Sequence, residues 1–465
     1  MTFHDALAYL ESLTNYERIH QPDAMRRIRL ERMHQLCKRL GSPQRRFRSI
    51  LVAGTNGKGS ICAMIYAILR QAGLRVGLYT SPHLEEVRER IRVNAELSKG
   101  GSDWITREDV AIAIDRVRSV IEDDARVVGK GAPTYFEVLT AAALWHFSQQ
   151  AVEVAVLETG LGGRLDATNV VDQAISVFGP IGLDHTDVLG KDLVTIAREK
   201  AGIIKPRQAV ISAAQQPAVA ALLREAASQH GCRVLEYGRH LSAKIITHQP
   251  HGTQLGVYGL RGQYDDLVLP LLGRHQAENA ALAIAAVESL SETGIPHSAV
   301  REGLARVHWP GRLEVVREQP LVVLDGAHNP HAALALRSTL EELWPRRAKH
   351  LLIGMSADKP VQQIAEILGP LASRVMCTTS RHPRACDPQR LAGHFTPYNH
   401  DVAVIPDPID AYMYLLNTSG SDDVIVITGS LFLVGQLRAA VHHTQAQGSP
   451  STVEGRTKGV ESCRL

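Results

Sequence analysis

Two rhythms of apolar residues take turns along most of the chain. Short β-branched runs end in glycine or polar residues: Ser49 to Ala53, Arg75 to Tyr79, VEVAVLE near 152–158 and AISVF near 174–178. Between them lie longer stretches with helical spacing, among them Ile61 to Gln71 and residues 134–149. The first rhythm marks buried strands, the second the helices that cover them. Thr106 stands where it caps a helix, with Glu108 and Asp109 in the first turn. Residues 5–40 read as helical, and the basic run Arg26, Arg27, Arg29 and Arg32 reads most plainly as a solvated helix face. Strand and helix patterns alternate to about residue 305. That predicts an α/β fold with a mostly parallel sheet and helices on both faces.

The rhythm breaks at His308-Trp309-Pro310-Gly311 and then restarts with LVVLD, HLLIG, RVMCT, VAVI and DVIVITG, each followed by or alternating with a helical pattern. This predicts a second, smaller α/β unit of ordinary domain size. The expected division is 1–309, 310–443, and a tail from 444 whose composition cannot support a core.

Composition narrows the function classes. The 465 residues are 45% hydrophobic and 21% charged, with a formal net charge of +3. Apolar content this high excludes bulk disorder. A charge this small excludes general electrostatic capture of nucleic acid or anionic membrane, so neither is expected as a partner. No run reaches the ~18 apolar residues of a membrane span. The N-terminus is acidic and amphipathic and unlike a secretory signal. The six cysteines are scattered, without a metal or disulfide spacing, and Cys62 reads as a small core residue. A reducing cytoplasm is the expected compartment.

The sharpest local signal is Gly54-Thr55-Asn56-Gly57-Lys58-Gly59-Ser60, between a strand and a helix. Glycines let backbone N–H groups turn inward on a phosphate, the helix start adds partial positive charge, and Lys58 adds a full one. Gly59 stands where a phosphate loop usually carries the Ser or Thr that binds Mg²⁺. The hydroxyl must then come from Ser60 or another segment. Thr80-Ser81-Pro82-His83, at the end of the next strand, is a good source.

Carboxylates and bases recur at strand ends. Glu158 closes a core strand, where a Mg²⁺ ligand is expected in nucleotide-binding α/β proteins. His185, in Gly182-Leu183-Asp184-His185, is a candidate ligand. Lys200 sits at a helix end, where the plainer reading is a cation on the helix dipole. Asp325 and His328, in DGAHNP, repeat the strand-end placement in the second unit. Asn279 lies at the start of an apolar helix, and Arg312 in the linker can reach a phosphate.

These segments together resemble the Mur ligase superfamily, and most closely its folate branch, the folylpolyglutamate and dihydrofolate synthases. The carrying motifs are GTNGKGS (54–60), TSPHL (80–84), PTYFE (133–137), ETGLGGRLDATN (158–169), GLDHTDVLG (182–190), REKAGIIK (198–205), LLGRHQAENAALA (271–283), PGRLE (310–314), DGAHNP (325–330) and TGSLFLVG (428–435). They cover about residues 8–440. SKGGSDW (98–104) departs from the family's usual spacing.

The resemblance implies a three-layer P-loop domain with a smaller Rossmann-like domain, and ATP in the cleft between them. It implies that Asn56, Gly57, Lys58, Gly59 and Ser60 cradle phosphates and that Asn279, Arg312 and Asp325 serve ATP. By the same likeness Ser81, Glu158 and His185 hold two Mg²⁺ ions beside a carbamylated Lys200. His328 and Ser430 match glutamate-side positions, and Phe136 and Asp166 line a pterin pocket. The implied reaction adds L-glutamate to dihydropteroate, to the γ-carboxylate of reduced folates, or to both, through an acyl phosphate, in a monomer. The alternatives are a monofunctional relative or another Mur-type ligase, although no motif for a UDP-sugar site is present. A nucleotide switch would hydrolyse ATP or GTP without needing glutamate. A non-catalytic scaffold is disfavoured because Lys58 and Glu158 are both present.

Overall fold

A computed structural model of the chain describes residues 1–19, 28–94, 102–123, 131–290, 294–446. The first half is built on seven strands: β1 (Arg48–Ala53), β2 (Val76–Tyr79), β3 (Ile91–Val93), β4 (Val154–Glu158), β5 (Ala174–Phe178), β6 (Val210–Ser212) and β7 (Val234–Glu236). Their order is β3-β2-β4-β1-β5-β6-β7. All pairs are parallel except β2 with β3. Every residue of β2, β4 and β5 is buried, as a strand covered on both faces requires. One face packs on helices Lys58–Gln71 and His275–Leu290, the other on Arg107–Asp123 and Tyr135–Gln149, which gives the three layers.

The second half is a six-stranded sheet of β11 (Glu314–Glu318), β12 (Leu321–Leu324), β13 (Lys349–Ile353), β14 (Arg374–Cys377), β15 (Val402–Val404) and β16 (Val424–Thr428). The order is β11-β12-β16-β13-β14-β15, parallel except for β11 on β12. The α/β expectation holds in both halves.

Four expectations change. The alternation does not run to residue 305. β8 (Ser242–Gln249), β9 (Gly252–Tyr258) and β10 (Gln263–Leu269) form a separate antiparallel sheet. Its inner side chains, Leu255, Val257, Tyr264 and Leu267, close over helix His275–Leu290, while its outer side faces water. That period-2 pattern belongs to a one-sided sheet, not to a buried parallel strand. Residues 5–40 are not one helix. The first helix stops at Ser12, and Asn15 Oδ1 accepts from Glu17 N (2.9 Å), a local turn that competes with helix continuation. Arg32 is not on a solvated face. It is buried and forms a two-pronged ion pair with Glu137 (2.7 and 2.8 Å). Arg29 is exposed as expected, and Arg26 and Arg27 lie outside the described residues. Finally, helix Leu431–Ala446 runs past residue 444. The remainder of the expected tail, Cys463 and residues 98–101 of SKGGSDW also lie outside the described residues.

Candidate active site

The two parallel sheets turn their carboxyl ends toward each other, and a cleft with a cavity of about 360 Å³ lies between them. Open α/β sheets place ligands at this edge because the loops there are free of the sheet ladder and the helices that follow point their N-termini at it. The cleft takes Gly54–Ser60 after β1, Ser81 after β2, Glu158 at the end of β4 and His185 after β5. From the other sheet it takes Asp325 and His328 after β12 and Ser430 after β16. Phe136, Asp166, Lys200, Asn279 and Arg312 line it too. Thus the structure brings every sequence-predicted site residue to one cavity.

The phosphate loop is tightly constrained. Gly57 is left-handed (φ 81°), and a Cβ there would stand 2.8 Å from Asn279 Oδ1. Asn279 is therefore seated directly on the loop, and its Nδ2 donates to Gln276 Oε1 (2.9 Å). Ser60 is buried with its hydroxyl 3.4 Å from Gln276 Nε2. Ser81 stays half-buried, and its backbone N–H donates to Glu158 Oε2 (3.2 Å). Of the two hydroxyl sources weighed from the sequence, Ser81 is the one beside the buried carboxylate.

Electrostatics concentrate at the same edge. Burial raises the Glu158 pKa, opposed by the nearby Lys58 charge and the Ser81 N–H. Burial lowers Lys200 to about 7, and Lys58 adds to that shift. The Lys200 ammonium donates to Gly54 O (2.8 Å), inside the phosphate loop and away from solvent. His185, in the left-handed region at φ 50°, opens onto the cleft; the surrounding walls and the charge of Lys359 keep its ring neutral. Burial also raises Asp325, against the pull of Arg312; its oxygens accept from Leu313 N (3.0 Å) and Ala327 N (2.9 Å). His328 Nδ1 lies 2.7 Å from Gly326 O, and its Nε2 lies 3.7 Å from Asp184 Oδ2.

Phe136, Asp166 and Ser430 have surroundings of a different character. Phe136 lies against Gly160, where a Cβ would come within 2.7 Å of the ring. Asp166 lines the cavity, but its oxygens already accept from Leu161 N (2.9 Å), Thr168 N (3.0 Å) and Thr168 Oγ1 (2.6 Å). It shapes the glycine loop that walls the pocket. Ser430 Oγ accepts from Phe432 N (3.2 Å).

Sequence reasoning missed Asp184, Lys359 and Arg384, which also line the cleft. Lys359 donates to Asp184 (2.7 Å), and Arg384 pairs with Asp358 (3.2 Å). For Lys359 and Arg384 the only available signal was position after a parallel strand, since neither lies in a recognised motif.

Comparison with known proteins identifies the family. The Mur ligase middle domain matches residues 114–287, and the Mur ligase glutamate ligase domain matches 311–431. The dihydrofolate synthase/folylpolyglutamate synthase of Bacillus subtilis is 35% identical, over 88% of this chain and 94% of its own. That of Mycobacterium tuberculosis is 37% identical, over 88% of this chain and 89% of its own. The M. tuberculosis folylpolyglutamate synthase complexed with ADP superposes with a TM-score of 0.85 at 34% identity, covering 94% of this chain and 98% of that one. Escherichia coli FolC in complex with DHPP and ADP gives 0.82 at 30% identity, covering 96% and 99%. The chain belongs to the Mur ligases and, within them, to the dihydrofolate synthase/folylpolyglutamate synthase family of ATP-dependent ligases.

Proposed function

We propose that this protein activates the carboxylate of dihydropteroate and the γ-carboxylate of a reduced folate with ATP, and joins L-glutamate to each. The observation that carries the reading is one cavity lined both by a glycine-and-lysine loop at a helix start and, on another wall, by the ring of Phe136. A carboxylate is a poor acyl donor, so the γ-phosphoryl group is first transferred to it. The glutamate α-amino group then attacks the acyl phosphate. Lys58 and the loop N–H groups face the phosphates and offset charge as it moves. Asn56, Gly57, Gly59 and Ser60 shape that cradle. Asn279, Arg312 and Asp325 hold the nucleotide, Phe136 and the loop fixed by Asp166 hold the acceptor, and His328 and Ser430 orient glutamate.

The residues fit Mg²⁺. Glu158 is a buried carboxylate with no ion-pair partner among the described residues, and it accepts from the backbone N–H of Ser81. No three His, Cys, Asp or Glu side chains group as a metal site among the described residues. Glu158, Ser81 and His185 would therefore share two ions with phosphate oxygens and with a carbamylated Lys200. Bound there, Mg²⁺ would offset charge on the transferring phosphoryl group.

In this reading residues 1–309 form the nucleotide domain and 310–443 the glutamate domain of a monomer. No described helix is long and apolar enough to cross a membrane, and the described cysteines are free thiols suited to a reducing cytoplasm. The test is an assay with ATP and L-glutamate, offering dihydropteroate and tetrahydrofolate separately. Product from both supports the bifunctional reading. A γ-glutamyl product without dihydrofolate removes its first half.

A further inference from the structure

Across the cleft, one carboxylate of the first half gathers three side chains of the second. Asp184, in the loop after β5, accepts at Oδ1 from Lys359 Nζ (2.7 Å). Its Oδ2 accepts from Asn329 Nδ2 (3.4 Å) and lies 3.7 Å from His328 Nε2. Asn329 also donates to Asn56 Oδ1 in the phosphate loop (2.9 Å), and its own Oδ1 accepts from Asn56 Nδ2 (3.4 Å) and Ala332 N (2.9 Å). The amide is therefore fixed in orientation by partners on both sides of the cleft. The Lys359 and Asp184 side chains are 8% and 10% exposed.

Other ion pairs join the halves, but they differ in kind. Arg274–Glu342 and Arg438–Glu85 sit at the rim, with Arg274 62% and Glu85 33% exposed. Exposed pairs of that sort contribute little. The Asp184 network is desolvated, lines the reaction cavity, and touches the phosphate loop itself. Breaking a buried pair leaves an uncompensated charge, so its loss favours letting water in.

We infer that Asp184, Lys359 and Asn329 are positioning residues that hold the cleft shut over the acyl phosphate, so that glutamate and not water reaches it. The inference rests on the ligase reading above. With the latch broken, water attacks the acyl carbon. The bond from that carbon to the bridging oxygen breaks and phosphate leaves. Water's oxygen enters the regenerated carboxylate, one of its protons goes to phosphate and one to solvent. The net change is ATP hydrolysis without ligation.

The experiment uses the full chain with MgATP, glutamate and tetrahydrofolate labelled with ¹⁸O in its γ-carboxylate. ADP and glutamyl product are counted, and label in phosphate is read by mass spectrometry. The unaltered protein should form one ADP per product. Lys359→Met should form several-fold more ADP per product, with the excess phosphate carrying ¹⁸O from the carboxylate, and Lys359→Arg should return toward one. The ratio is independent of how much protein is folded. A ratio of one in both Lys359→Met and Asn329→Ala, with only the total rate lowered, overturns the latch, and so does excess phosphate without label. Failure of the unaltered protein to glutamylate any acceptor would instead overturn the ligase reading beneath it.

Discussion

The two sheet edges that face each other across the cleft are built on opposite plans. The first presents backbone: a glycine loop, a helix start, and a few charges buried so deeply that their ionisation is shifted. The second presents mainly side chains: His328 and Arg384 partly open to the cleft, with Ser430 and the Lys359 side chain buried. Under the proposed function the contrast follows from the chemistry each edge would serve. Phosphates are recognised by preorganised N–H dipoles and fixed charge, which demand a rigid loop. An incoming amino acid needs directional groups that admit it after activation, and loops carried on a rigid scaffold supply them.

The sharpest way to break this comparison is at Lys58. If the first edge works by preorganised charge, Lys58→Ala should lower turnover by roughly a hundredfold or more. Steady-state ADP release with saturating glutamate and acceptor checks it. Near-normal ligation in that variant would remove the loop from the mechanism.

Lys200 tests whether burial at the same edge is chemically purposeful. Its folded pKa, about 7, lies below the ordinary 10.5 because burial, aided by Lys58, disfavours the ammonium. A neutral amine can capture CO₂, and the carbamate so formed offers oxygen ligands. Lys200→Ala should therefore lose activity, and small carboxylic acids should restore part of it. In the unaltered protein, added bicarbonate should raise activity more at pH 8 than at pH 6. The stability sign is separate. Between pH 7 and 10.5 the unfolded chain binds the extra proton, so the destabilising cost of this lysine is fully present below about 7 and is relieved as pH rises. Denaturation midpoints of Lys200→Met should rise less with pH across that window than those of the unaltered protein. A map showing an unmodified Lys200 in solvent, with full activity of Lys200→Ala, would return the residue to the helix-dipole reading.

Legibility from sequence divides along the same line. Gly57, Lys58, Glu158 and Asp325 were readable because a strand end followed by a loop places them without knowledge of the rest of the fold. Phe136 and Ser430 came only through resemblance to a family. The Asp184–Lys359 pair spans 175 residues, and nothing local announces it. Arg32 was misread for the same reason: its partner Glu137 is 105 residues away. The β8–β10 sheet was misjudged because short alternating runs such as GTQLGVY were absorbed into the βα rhythm around them.

The acceptor pocket gives a smaller and more selective effect. A Cβ at Gly160 would press on Phe136 Cζ at 2.7 Å. Gly160→Ala should raise the KM for the pterin-bearing acceptor by about tenfold, on the scale of one displaced apolar contact. The KM for ATP should stay within about twofold. Equal rises for both substrates would mean that the Phe136 wall and the phosphate loop, both carried by the first half, do not act as separate sites on that edge.

The smallest effect is expected at the outer face of the β8–β10 sheet. Val268, on β10, is 48% exposed and pairs in register with Gln254 on β9. Its neighbours Leu267 and Leu269 are buried, so alternate residues of this strand meet water while the others pack inward. Val268→Thr keeps the β-branched shape and removes no packing, so it should change unfolding free energy by less than about 0.5 kcal/mol. Leu267→Ala, one residue away on the inner face, should cost about 2–5 kcal/mol. Neither change lies at the cleft, so kcat should follow the folded fraction alone in both. If Val268→Thr instead lowered kcat in fully folded protein, the sheet would have to be counted with the cleft.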